Sequence, residues 1–488
     1  MFAFFRTHRL ALSIVTYFIF TTIAIFAILP DWRNDDPYIT YRFAENLYAG
    51  RGFVYNPGEN ILSTTSPLFA LVLAGVRVFW SNLPRAANLI GAASLAGGAL
   101  FLWDMARQWK EPRAGWAGLV LYPTFGLLVS TLGSETPVYL ALCLGALSFY
   151  VKRRYTTTAA LLAFAILFRG DAVVLGGVIA LDWLLKNPLK TFADLRKLPW
   201  KAIALGTAIL LVWAAFAIPY FGSPLPITLA VKRAQGLMNI SEKFAPGFLT
   251  ILRPYTRNFY FWTQAGLLVA GGIYALRKAR AWCLLIAWAV LYFIAYTVLG
   301  VTRYFWYYAP LVPAMVGMIG LGAVFMQHIP HPSSTIRRAL SWGAILALGW
   351  VAISQAAVLP RLRQHPDERL QAYRLVGEWL THNTLPQARI GTLEVGVIGY
   401  YVLPRPMIDF AGLIQPEVAD LFAPETTYQN TAIYSIIAYQ PDFIVLHDGL
   451  FPYLEETLIT KNCLRVQRFP GAQTGYSLSL SVYQCQYP

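Results

Sequence analysis

Apolar runs near twenty residues long, with few charges inside them, recur along the first three quarters of the chain. They fall at about 10–30, 86–104, 114–132, 136–151, 157–170, 171–186, 199–220, 258–276, 281–300, 304–327 and 339–358. A bilayer core takes about 20 helical residues to cross, so the pattern predicts about eleven transmembrane helices. The stretch 67–80 is apolar but short, which fits a re-entrant or interfacial helix. The first run, Leu10 to Leu29, is long enough to span, has no cleavage site after it and is followed by further spans. It reads as an anchor and not as a removed signal.

The pattern changes near residue 360. Residues 360–488 have ordinary polar content with alternating apolar patches. Gln371–His382 predicts an amphipathic helix. Ala388–Leu393, Val395–Val402, Pro406–Phe410 and Asp442–Leu446 predict strands between Pro and Gly punctuation. The chain therefore divides into a membrane region, 1–359, and a small α/β domain, 360–488.

Composition agrees: 57% of residues are hydrophobic and 13% charged. The net charge of +15 would suggest nucleic acid on a soluble protein. Here the basic residues sit in short loops between apolar runs, with no basic stripe interleaved with aromatics, which argues against nucleic acid. With Arg6 and Arg9 in the cytoplasm, every basic cluster between spans lands on that side. These are Arg107, Lys110 and Arg113; Lys152–Arg154; Lys186 to Lys201; Arg277, Lys278 and Arg280; and Arg337–Arg338. That is the positive-inside pattern, provided 67–80 does not cross. The outer side receives 31–85, 131–135, the Arg169–Asp171 corner, 221–257, 301–303 and the tail. Of the four cysteines, Cys143 and Cys283 lie in apolar runs as core residues. Cys463 and Cys485 lie in the tail, where a disulfide closing a hairpin is favoured over two free thiols if the tail is outside the cytoplasm.

Candidate chemistry concentrates on those outer segments. Asp35 and Asp36 are adjacent carboxylates just beyond a span, an arrangement held by a cation, by basic partners or by a shared proton. One is placed to take a proton from a hydroxyl. Alternatively, Asp31, Asp35 and Asp36 only cap a helix from about Pro37 to Ala49. Glu135 lies at the mouth of two spans, where a carboxylate is either paired or used, or favoured by a helix N-terminus. Arg169 either pairs with Asp171 across Gly170 or faces a cavity and binds phosphate. Lys232, Arg233 and Arg303 lie on the side that positive-inside disfavours; a bound anion or interfacial snorkelling each accounts for them.

The first loop, Asn34-Asp35-Asp36-Pro37-Tyr38-Ile39-Thr40-Tyr41-Arg42 with Gly50-Arg51-Gly52-Phe53-Val54-Tyr55-Asn56-Pro57-Gly58-Glu59 and Thr65-Ser66-Pro67, resembles that of the GT-C membrane glycosyltransferases. It is most similar to the branch containing the mycobacterial terminal arabinofuranosyltransferase. Gly133-Ser134-Glu135-Thr136, Phe168-Arg169-Gly170-Asp171 and the Pro224 to Lys232 loop resemble further motifs of that branch, with Gly170 in place of Pro and Ile227 in place of Asn. Glu394-Val395-Gly396 and Ile408-Asp409-Phe410 are similar to its soluble domain. The resemblance implies a GT-C-like helical membrane fold with a C-terminal α/β domain. It implies a polyprenyl-phosphate-linked sugar donor, a glycan, lipid or protein acceptor, and transfer on the outer face of the cytoplasmic membrane. Asp35, Asp36 and Glu135 would be catalytic, with Asp36 and Glu135 as candidates to hold a divalent cation (Mg, Mn or Ca). Tyr38, Arg42, Thr65, Ser66, Arg169, Asp171, Lys232 and Arg303 would bind substrate. A flippase of lipid-linked sugars, or a non-catalytic envelope glycan-binding protein, is the alternative. A transporter should carry charge near the bilayer midplane, whereas here the spans are mostly uncharged inside.

Overall fold

A computed structural model describes residues 2–329 and 333–488, with residues 2–8 described through their backbone alone, so the Arg6 side chain lies outside the described residues. Among the described residues, seven helical stretches are long and apolar enough to cross a membrane. They are Arg9–Ile28, Leu83–Gln108, Trp200–Phe221, Phe259–Arg277, Arg280–Leu299, Phe305–Gln327 and one beginning at Ser334. Thr136–Val151, Tyr155–Phe168 and Ala172–Lys186 are apolar but shorter. The protein is thus a multi-pass helical membrane protein.

One expected span changes here, and one expected short helix is found. The run 114–132 is not one helix: Gly115–Leu121 and Gly126–Val129 flank a break at Pro123, which has no N–H to continue the ladder. The segment 67–80 forms the helix Pro67–Arg77. At 1.5 Å per residue its 11 residues fall well short of a bilayer core.

The bundle has two chemically distinct ends. At one, Lys152 pairs with Asp104 at 2.6 Å, Tyr150 donates to Asp182 at 2.5 Å and Arg113 donates to Gln327 at 3.1 Å. Tyr274 reaches Glu111 there at 2.8 Å. This end carries the basic loops. The other end carries Trp32 to Asp36, Ser130 to Glu135, Arg169 to Asp171 and Tyr296 to Tyr307.

The C-terminal region builds a sheet ordered β2-β1-β3-β5-β4 from β1 (Ile390–Thr392), β2 (Met407–Asp409), β3 (Phe443–His447), β4 (Cys463–Phe469) and β5 (Leu480–Cys485). β1 lies parallel to β2 and β3, and β5 runs antiparallel to β3 and β4. Helix Glu368–Asn383 covers the expected amphipathic stretch. Cys463 and Cys485 face each other across β4 and β5 and form a disulfide. Val395–Val402 is the exception: it forms the helix Val397–Tyr401, not a strand. Val397, Ile398, Tyr401 and Val402 have helical spacing, whereas Val395, Val397 and Tyr401 alternate as in a strand, and a run this short does not separate the two.

The sheet is fastened to the first loop. Asn56 acts as a strand mimic beside β2, donating to the Met407 carbonyl at 2.8 Å and accepting from its N–H at 2.9 Å. At the end of β2, Asp409 is fully buried and accepts from the N–H groups of Ala411, Leu413 and Ile414. Burial pushes its carboxyl from 3.8 up to about 7, against those three donors. A raised folded-state value means that Asp409 contributes stability below about pH 4 and loses it as the pH passes about 7. Asp409→Asn is expected to remove that slope. It should also cost about 1–3 kcal/mol, because an amide keeps one acceptor oxygen and turns a donor toward another donor. Melting curves of the full chain in detergent across this pH range check both effects.

Candidate active site

Three segments are laced together at the end opposite the basic loops. Trp32 Nε1 and Asn34 Nδ2 both donate to the Ser130 carbonyl, at 3.0 and 2.8 Å, and Tyr41 Oη donates to the Gly133 carbonyl at 2.5 Å. Gly133 sits at φ +84°, and a Cβ there would press on the Tyr41 hydroxyl and the Asn88 side chain. The turn before Glu135 therefore needs glycine.

The two aspartates are not used as helix caps. Helix Pro37–Tyr48 begins at Pro37, and the Asp36 side chain makes no capping bond. Asp31 is engaged elsewhere, by Arg85 at 2.7 Å. Asp35 turns toward the C-terminal region: its Oδ1 accepts from the Val397 N–H at 2.8 Å. Gly396 makes this approach possible, since a Cβ on it would overlap the Asp35 carboxylate. Burial and then Glu394 push the Asp35 carboxyl well up, against the Val397 N–H. Burial likewise raises Glu394, against the pull of Arg369 and a hydrogen bond from Tyr373. Asp36 keeps its side chain 39% exposed, with Oδ2 3.7 Å from the Lys232 ammonium.

Lys232 lies on helix Thr228–Gln235 and is 7% exposed at its side chain. Its ammonium sits 3.9 Å from the centre of the Tyr304 ring. Burial works against its charge, but Tyr304 and Asp36 outweigh burial and raise its pKa. A buried lysine so held stays cationic.

Glu135 and Arg169 follow on the far side of Tyr307. The Tyr304 and Tyr307 rings lie 5.7 Å apart, and the Arg169 guanidinium is 5.7 Å from Tyr307. Arg169 pairs with Glu135 at 3.1 Å and with Asp171 at 2.9 Å. Asp171 also accepts from Tyr292 and Tyr296, at 3.1 and 2.7 Å. Glu135 spends its carboxylate on Arg169 and makes no capping bond. Burial raises its pKa, and Arg169 opposes the shift.

The remaining candidates lie outside this core. Arg42 is fully buried, and its guanidinium donates to the carbonyls of Tyr55, Gly399 and Arg405 and to Asn56. It clamps the first loop to the C-terminal region. Ser66 is buried 3.4 Å from Thr40 Oγ1, whereas Thr65 is exposed. Tyr38 is buried edge-on to Tyr41 and Tyr400, with its hydroxyl unpartnered. Arg303 pairs with Glu242 at 3.1 Å, its stem against Gly247.

Glu394, Arg369, Tyr373, Tyr304 and Tyr307 were not singled out by sequence reasoning. Glu394 stood inside the C-terminal motif, and Tyr304 directly follows Arg303; either adjacency was the available signal.

Among the described residues, no group of three or more His, Cys, Asp or Glu side chains is placed to hold a metal ion. Asp36 and Glu135, the two carboxylates considered for a cation, each face a cationic side chain instead. They do not fit as a resident cation's ligands.

Comparison with known proteins fits this geometry. A family described as a domain of unknown function (DUF8728) matches residues 362–483. No curated protein matches the chain. Among solved structures, ArnT from Cupriavidus metallidurans bound to undecaprenyl phosphate is 14% identical, with a TM-score of 0.64 over 96% of this chain and 97% of that one. The Archaeoglobus fulgidus oligosaccharyltransferase, tethered to an acceptor peptide, is 13% identical, with a TM-score of 0.62 over 92% of this chain and 70% of that one. The same enzyme in complex with Zn and sulfate is 12% identical, with a TM-score of 0.56 over 91% of this chain and 68% of that one. The chain therefore has the GT-C membrane fold, with a small C-terminal sheet.

Proposed function

We propose that the protein is a glycosyltransferase that moves a sugar from a polyprenyl phosphate to an acceptor hydroxyl on the outer face of the cytoplasmic membrane. We place it in the branch that its first loop resembles. The observation that carries this reading is the pair Asp36 and Lys232, 3.7 Å apart beside Tyr304. A lipid phosphate held by Lys232 would set its sugar beside a carboxylate that is open to solvent.

Asp36 is the base in this reading, because Asp35 is tied to Val397 and held up in its protonation by burial and Glu394. The acceptor oxygen attacks the anomeric carbon and its proton passes to Asp36. The bond from that carbon to the phosphate oxygen breaks, and its electron pair leaves on the phosphate, whose charge Lys232 meets. Glu135, Arg169 and Asp171 form a buried ion-pair network next to Tyr307. The ArnT structure with undecaprenyl phosphate and the oligosaccharyltransferase with its peptide support a lipid-linked donor and a separate acceptor.

The purified chain in proteoliposomes, supplied with polyprenyl-phosphate sugars and envelope acceptors, should form a glycosylated product. Translocation of the donor with no product would favour the flippase reading instead. Gly396→Ala should push Asp35 out of register and lower transfer roughly 100-fold; a rate like the wild type's in that assay would remove Asp35 from the centre.

A further inference from the structure

Gln235 lies one helical turn beyond Lys232 on the same helix and is 1% exposed. Its Nε2 donates to the Ala411 carbonyl at 3.0 Å, and its Oε1 accepts from the Tyr304 hydroxyl at 3.4 Å. The two bonds fix the amide's orientation. The Ala411 carbonyl needs a donor, so the amide oxygen is left facing Tyr304 and cannot turn away. Tyr304 is the ring on which the Lys232 ammonium rests. Ala411 belongs to the loop that Asp409 organises after β2. The same stretch is tied to the C-terminal region once more, where the Asn239 N–H donates to the Pro424 carbonyl at 3.0 Å.

We propose that Gln235 is a positioning residue for the lipid-phosphate site, through which the C-terminal region sets Tyr304 and hence Lys232. This rests on the donor reading above. The C-terminal region, with no basic side chain of its own in this network, thereby governs how tightly a polyprenyl phosphate is held. The loop Phe410–Gln415 reaches the phosphate end through one amide.

The test is binding of undecaprenyl phosphate to the full-length chain in detergent, alongside its melting temperature. Gln235→Leu keeps the volume and removes both bonds. It is expected to weaken binding about tenfold, the worth of one buried hydrogen bond, and to lower melting modestly, because the Ala411 carbonyl loses its donor. Tyr304→Phe keeps the ring under Lys232 but removes the hydroxyl, which bonds both Gln235 and Lys232, and should weaken binding at least as much. The double variant should bind no more weakly than the weaker single one, because both changes break the same link. A merely structural role would lower melting without coupling the two effects on binding, and additive effects overturn the proposal. Wild-type affinity in Gln235→Leu, with Lys232→Ala weakened, overturns this inference and leaves the donor reading standing. Wild-type affinity in Lys232→Ala overturns the donor reading and this inference with it. If Gln235→Leu does not fold, Gln235→Met, which also lacks both bonds, takes its place: weakened binding supports the link and unchanged binding overturns it.

Discussion

Asp36→Asn is expected to abolish sugar transfer while the protein still inserts and folds. The substitution keeps size and shape and replaces the basic, charged carboxylate with an amide that cannot take the acceptor's proton. Loss of a general base costs roughly 10²–10⁴-fold, and here the side chain is neither a helix cap nor part of a buried network. Its one ion-pair partner, Lys232, remains charged and free to hold the phosphate, so donor binding should survive the change. Asp35→Asn should cost less, since an amide oxygen still accepts from the Val397 N–H. The check is a single-turnover transfer assay on each variant, with donor binding measured separately. Full transfer by the Asp35→Asn, Asp36→Asn double variant would remove the proposed chemistry.

The second large effect falls on stability. Arg169→Met is expected to destabilise the chain by about 3–5 kcal/mol, because it strands two buried carboxylates. Glu135 and Asp171 both lean on that guanidinium, at 3.1 and 2.9 Å, with side chains 9% exposed. The other partners of Asp171, Tyr292 and Tyr296, are neutral hydroxyls. Adding Glu135→Gln and Asp171→Asn to Arg169→Met should recover most of the loss, since the uncompensated charge and not the missing contact is what costs. Thermal unfolding in detergent of the single and triple variants checks this. Arg169→Met melting like the wild type would show that the charges are met in another way.

These expectations also show what could be read without coordinates. The spans were legible because a bilayer enforces length and apolarity on every crossing helix. Pro123 was visible as well, but hydropathy averages over it, so one run became two short helices. The acids and cations of the outer loops could be grouped on one end by charge alone. Of their partners, Asp171 was open to reading as a local pair for Arg169, and the distant ones were not. That Arg169 is consumed by Glu135, and that Asp35 turns to Val397 more than 350 residues away, depends on packing that no local pattern encodes. Val395–Val402 was ambiguous because a short, nearly continuous apolar run suits both periods. Arg42 looked like a ligand residue because it sits in the first-loop motif, yet backbone carbonyls from two distant segments take up its guanidinium.

One structure would test the core of this reading: the full chain with undecaprenyl phosphate bound. The expected result is a phosphate within hydrogen-bonding distance of Lys232 Nζ, above Tyr304, with the first carbon of its sugar in a donor complex facing Asp36. A headgroup seated among the basic loops near Lys152 and Arg113, or anywhere remote from the 31–66 segment, would contradict it.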